Sequence, residues 1–168
     1  MFPSIVLKSI MKSKIISVVK ETCLIINNIS DSWAITGGCN VFIRGCSSTA
    51  DDIDIITTRF GASLIFEAMK NYVTRDLYYS EVKKLKSYFF EALVDGVKIE
   101  VMGDPENKIN EKWVKNTLWF KAIEYLTIDE TPIPLTTLDY ELNINRILNN
   151  QERVNAIENC DRDRYRPS

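Results

Sequence analysis

Trp33-Ala34-Ile35-Thr36-Gly37-Gly38 and, beyond Gly45, Asp51-Asp52-Ile53-Asp54-Ile55-Ile56 are the segments whose reading decides the fold. Ser32 to Thr36 runs into the two glycines, which predicts a short strand ending in a turn. Cys39 to Arg44 then predicts one or two helical turns before a second turn at Gly45. Ile53, Ile55, Ile56, Thr57 and Thr58 are all β-branched and predict a core strand. Residues two apart on a strand share a face, so Asp52 and Asp54 project together. Two hard oxygen ligands therefore converge beside a glycine turn, as a metal and nucleotide site requires.

Working outward, Ser4 to Ile29 repeats apolar residues at helical spacing, Ile15, Ile16, Val19, Cys23 and Ile26 among them, up to an Asn27-Asn28 breaker. Ala62 to Val73 predicts a second helix, Leu77 to Val82 a weaker strand, and Val82-Lys83-Lys84-Leu85-Lys86 a basic turn into Ser87 to Val94. Asp95-Gly96 between Val94 and Val97 is a strong hairpin signal, because a type I′ turn needs positive φ at both central residues. That turn pairs Val94 with Val97, Ala92 with Ile99 and Phe90 with Val101 on one face. Leu93 with Lys98 and Glu91 with Glu100 fall on the other.

Glu91 opposite Glu100 sets like charges on Cβ atoms about 5 Å apart, which calls for a cation or a basic side chain between them. Lys98 is the local remedy, and the hairpin alone is equally consistent with two carboxylates splayed into water beside it. Beside Asp52 and Asp54, Glu100 becomes the third ligand, with Glu91 and Lys98 in support.

Gly103-Asp104-Pro105-Glu106-Asn107 reads as a turn or loop, and Trp113 to Thr127 as mixed, with Leu118 to Leu126 a strand or a short helix. Ile133-Pro134-Leu135 is extended. Leu138 to Leu148 and Glu152 to Asn159 predict two helices separated at Asn149-Asn150, before a charged tail with Arg162, Arg164 and Arg166. One domain over 1–160 is expected: an N-terminal helix in 1–30, a sheet core in 31–128, C-terminal helices in 129–160, and the tail 161–168. Trp33, Trp113, Trp119 and Phe120 are expected as core or interface anchors rather than base-stacking platforms.

A length of 168 residues suits one core, and a formal charge of -2 gives no bulk attraction to nucleic acid or an anionic membrane. Neither is expected as a partner, and no apolar run is long enough to span a bilayer. The chain has no histidine, and Cys23, Cys39, Cys46 and Cys160 form no CxxC pair, which argues against zinc and against histidine acid/base chemistry. The four cysteines are expected as small buried or half-buried free thiols, in a reducing cytoplasm.

An Asp-x-Asp pair with one more carboxylate suits Mg2+, or Mn2+, completed by phosphate oxygens and water. Gly37 and Gly38 let backbone N–H groups approach a triphosphate, and Arg44, Ser47 and Ser48 are candidate phosphate contacts.

Trp33 to Gly38, Gly45 and Asp51 to Ile55 together resemble the signature of the DNA polymerase β-like nucleotidyltransferase superfamily, in which a glycine turn precedes Asp-x-Asp. Val94 to Asp104 is similar to the strand that carries the third carboxylate, placing it at Glu100. Ile133-Pro134-Leu135 with the following helix resembles the minimal and AbiEii-type prokaryotic members. The resemblance implies an α/β (α+β) fold, a mixed twisted sheet flanked by helices with a small C-terminal helical part. It also implies Mg2+-dependent transfer of a nucleoside monophosphate from an NTP, expected to be ATP, to a small-molecule or protein acceptor, with release of pyrophosphate. A non-catalytic or partner-directed module, such as the antitoxin half of a pair with a toxin chain, is the alternative.

Overall fold

The computed structural model describes residues 3–160, with side chains from residue 13 onward; the tail with Arg162, Arg164 and Arg166 lies outside the described residues. The elements run α1 (Pro3–Ile26), β1 (Trp33–Thr36), α2 (Gly37–Ile43), β2 (Asp52–Thr57), α3 (Arg59–Ala68), β3 (Val73–Val82), β4 (Leu85–Val94) and β5 (Val97–Ile109). They continue through β6 (Lys112–Lys115), β7 (Ile123–Ile128), β8 (Thr131–Thr136), α4 (Leu138–Ile147) and α5 (Gln151–Glu158). One eight-stranded sheet has the order β3-β4-β5-β2-β1-β8-β7, with β6 paired to β5. β2 runs parallel to β5 and antiparallel to β1, so the sheet is mixed, as expected.

The period-2 pattern divides the two faces. Ile35, Ile53, Ile55, Ile99 and Val101 are fully buried and pack with Val19, Cys23 and Ile26 of α1 and Ala62 and Ile65 of α3. Each such side chain contributes about 1.5–3 kcal/mol relative to exposure. A second apolar cluster joins Ala34 and Ile56 to Trp119 and to Tyr140 of α4, with Ile144 packed against it. Asp52 and Asp54 alternate with Ile53 and Ile55 and so share the face of Ile56. They stand where that face is open.

The Asp95-Gly96 hairpin forms in the expected register, Val94 with Val97 through Glu91 with Glu100, and both turn residues have positive φ (48° and 74°). The stretch from Gly103 to Asn107 is not a loop. β5 runs on to Ile109, and Asp104 takes φ 47° at an irregularity where β5 carries one residue more than β4. This β-bulge absorbs the Gly-Asp-Pro sequence without ending the strand. β8 contains Ile133-Pro134-Leu135, extended as expected, and pairs with β1 and β7 on that side of the sheet. Trp33 and Trp119 are buried as expected; Phe120 stacks on Trp119, and Trp113 lies beneath the Lys86 ammonium.

The cysteines need one correction. Cys23 and Cys39 are buried free thiols, and burial pushes Cys23 up to about 12. Cys46 and Cys160, however, are joined in a disulfide across 114 residues, with Cα atoms 4.8 Å apart. The fold brings together thiols that show no pairing pattern in the sequence.

Candidate active site

Parallel pairing of β2 with β5 sets Asp54 beside Glu100 and Asp52 beside Lys98. Carboxylate oxygens of Asp52, Asp54 and Glu100 lie within 4.8 Å of one another, and all three residues are half-buried. Such a cluster of hard donors fits a divalent cation with room left for phosphate and water. Burial pushes the Asp54 carboxyl up to about 7, reinforced by the charges of Asp52 and Glu100, while Arg153 pulls the other way. A carboxyl group set among like charges is the electrostatic complement of a cation.

Lys98 sits at the edge of this cluster. Its ammonium donates to Glu100 and stands 3.8 Å from Asp52 Oδ2, and the bond to Glu100 holds its pKa above the usual lysine value. Glu91 is directed elsewhere: it faces Glu100 in the register but forms an ion pair with Arg75 at 3.1 Å. Arg75 on β3 thus relieves the like-charge contact on one side and Lys98 on the other.

The glycine turn is held from beneath. Gly37 has φ 70°, and a Cβ there would lie 2.4 Å from Asp54 Oδ2, so the turn needs glycine on both counts. Its N–H donates to Glu141 Oε1 at 3.0 Å. The same buried carboxylate of α4 accepts from Thr36 Oγ1 at 2.6 Å, from Asn40 Nδ2 at 3.2 Å and from the Thr136 hydroxyl. The Gly37 N–H is therefore committed to the protein, which corrects its expected role as a phosphate donor.

Arg44 is not in the cleft. It is buried, donates to Asn40 Oδ1 at 2.7 Å and to the Thr136 carbonyl at 3.1 Å, and pairs with Glu124 of β7. Its charge is spent holding α2 to β7 and β8. A cleft of about 220 Å³ does open at the turn, lined by Gly38, Ser47, Asp52 and, from the C-terminal helices, Asn150, Glu152 and Arg153. Ser47 is on its wall and bonds the Thr49 carbonyl at 3.0 Å, whereas Ser48 is exposed and absent from the lining.

Sequence reading missed Glu141 and Arg153, both brought in from more than eighty residues beyond the Asp pair. A faint signal for Glu141 was its position one helical turn before Asn145, where two polar residues share a buried stripe with Tyr140.

The model of the aminoglycoside-2''-adenylyltransferase family matches residues 18–159. The chain belongs to this family. The match falls on these adenylyltransferases and not on the AbiEii type to which Ile133-Pro134-Leu135 pointed. As a member, the protein is a nucleotidyltransferase, of the class that moves a nucleoside monophosphate from an NTP.

Solved structures agree on the fold. A putative nucleotidyltransferase from Thermotoga maritima superposes with a TM-score of 0.77 at 24% identity, over 87% of this chain and 91% of that one. The lincosamide antibiotic adenylyltransferase LnuA, bound to lincomycin, gives 0.55 at 7% identity over 88% and 96%. ANT(2'')-Ia in complex with adenylyl-2''-tobramycin gives 0.52 at 12% identity over 86% and 87%. No curated protein sequence matches the chain. Among the described residues no helix is long and apolar enough to cross a membrane.

Proposed function

We propose that this adenylyltransferase-family protein transfers AMP from ATP, with Mg2+, to a hydroxyl of a small-molecule acceptor and releases pyrophosphate. The observation that carries the reading is the convergence of Asp52, Asp54 and Glu100 within 4.8 Å, with Asp52 on the wall of the cleft beside the glycine turn. These carboxylates would hold the metal, and Mn2+ suits the same oxygen donors. When bound, the ion supplies charge neutralisation for the phosphates and lowers the pKa of an attacking hydroxyl.

The chain's own groups divide the remaining work. A bond forms between the acceptor oxygen and the α-phosphorus as the bond from that phosphorus to the pyrophosphate oxygen breaks. Glu100, on the open side of the sheet, takes the acceptor proton, and Lys98 beside it holds the carboxylate in place. Gly37, pinned by Glu141, keeps the turn close to Asp54, while Gly38 and Ser47 face the nucleotide's phosphates.

Family membership and the antibiotic ligands of two structural neighbours make aminoglycosides the first acceptor class to test and lincosamides the second. The expected location is the cytoplasm, where NTP is supplied. The thiol pool there works against the Cys46–Cys160 bond, so both redox forms belong in the assay.

The test is incubation of the full chain with α-labelled ATP, Mg2+ and a panel of aminoglycosides and lincosamides, followed by chromatography. Label on an acceptor that disappears in Asp52→Asn supports the reading. Absence of label on every acceptor, with either Mg2+ or Mn2+ and in either redox form, contradicts it.

A further inference from the structure

The cleft at the glycine turn has one wall that the reading above leaves unassigned, the first turn of α5. Arg153 projects from it across Gly37 and Gly38. A Cβ built on Gly38 would meet Arg153 Nη2 at 3.0 Å, and one on Gly37 would meet Nη1 at 3.5 Å and Asp54 Oδ2 at 2.4 Å. The guanidinium, the bare turn and the Asp54 carboxylate thus enclose one small volume. The Arg153 backbone is fixed as well, its N–H donating to the Asn150 side chain at 3.3 Å.

Among the described residues, no carboxylate is in ion-pair range of this guanidinium, unlike those of Arg44, Arg75 and Arg146. It is a half-buried cation whose fork of donors is available.

Position says what it is for. The cleft is lined by Asp51, Asp52, Glu152 and Arg153 but not by Asp54, Glu100 or Lys98, so it lies on the side of Asp52 away from β5. In phosphoryl transfer the attacking and leaving oxygens are roughly in line on the phosphorus. If the acceptor proton goes to Glu100, the leaving group departs on the opposite side, into the cleft that Arg153 lines. A planar guanidinium matches two phosphate oxygens as a fork where a lysine meets them as a point charge.

We propose that Arg153 is the clamp on the β- and γ-phosphates of the NTP and stays with the pyrophosphate as it leaves. The assignment rests on the nucleotidyl-transfer reading and takes the role that Arg44 cannot fill.

The test is calorimetric titration of the full-length wild type, Arg153→Gln and Arg153→Lys with ATP and with AMP, each with Mg2+, after thermal melts confirm folding. Loss of charge-assisted bonds to phosphate predicts about tenfold or weaker ATP binding in Arg153→Gln. AMP binding changes less than about twofold, since AMP lacks the clamped groups. The ATP-to-AMP affinity ratio therefore falls, and it falls partway in Arg153→Lys, which keeps the charge and loses the fork.

If Arg153 only balances the charge of Asp54, both nucleotides weaken alike and the ratio stays at the wild-type value, which overturns the proposal. Should the glutamine variant not fold, the lysine variant decides alone: a lowered ratio supports the clamp and a wild-type ratio overturns it. A wild type that binds no ATP removes the transfer reading together with the clamp, whereas wild-type binding matched by both variants removes the clamp alone.

Discussion

Burial and the charges of Asp52 and Glu100 push Asp54 up to about 7 from an ordinary 3.8, so near neutrality its proton is only half released. Between those two values the folded chain holds a proton that the unfolded chain has lost, and stability therefore falls as pH rises from about 4 through about 7. Each tenfold change in proton affinity corresponds to about 1.4 kcal/mol, so the loss across this range amounts to a few kcal/mol. Thermal melts across this range should show a steeper decline for the wild type than for Asp54→Asn, and added Mg2+ should flatten the wild-type slope. Equal slopes for the two proteins would contradict the assignment. Side-chain direction is also where sequence reading was weakest. Arg44, close in sequence to the glycines, points into the β7 and β8 side, whereas Arg153, far away in sequence, lies over the turn. Proximity along the chain says little about where a long side chain ends.

The elements that were legible are those whose signals are local. Asp95-Gly96 fixed a register that holds from Val94 with Val97 to Glu91 with Glu100, and Asn149-Asn150 marked the break between α4 and α5. Gly103-Asp104-Pro105 carried an equally local signal that misled, because one residue at positive φ makes a bulge as readily as a turn. Only the pairing with β4 and β6 distinguishes the two. Glu141 acts at the same scale, tying α4 to the end of β1 and the start of α2 through Thr36, Thr136, Asn40 and Gly37. Glu141→Ala strands the Thr36 hydroxyl and the Gly37 N–H, whose acceptor it is, at about 1–3 kcal/mol each, so a loss of about 2 kcal/mol or more is expected in urea unfolding, with weakened ATP binding. A variant within about 0.5 kcal/mol of wild type would show that the turn is held some other way.

For the molecule as a whole, the strand order could not be derived from the sequence, because parallel pairing of β2 with β5 and of β1 with β8 joins segments far apart in the chain. That pairing is what sets Asp54 beside Glu100, so the site was legible as three residues but not as a geometry. The Cys46–Cys160 bond belongs to this scale too. It ties the loop after α2, one wall of the cleft, to the segment at the C-terminal end of α5, a helix whose earlier residues form the other wall. Closing a loop of 114 residues is worth about 2–5 kcal/mol. Reduction, or Cys160→Ser, should lower the melting temperature by several degrees, with no further effect of reductant on the variant; melts unmoved by reductant would contradict a bond that stabilises the native state.

The most direct measurement of the central claim is calorimetric titration of ATP into the wild type, Asp52→Asn, Asp54→Asn and Glu100→Gln, each with Mg2+ and with a chelator. The account predicts binding by the wild type that needs the metal and is lost or weakened by about tenfold or more in each folded variant. Tight ATP binding that ignores the chelator and survives all three substitutions would contradict it.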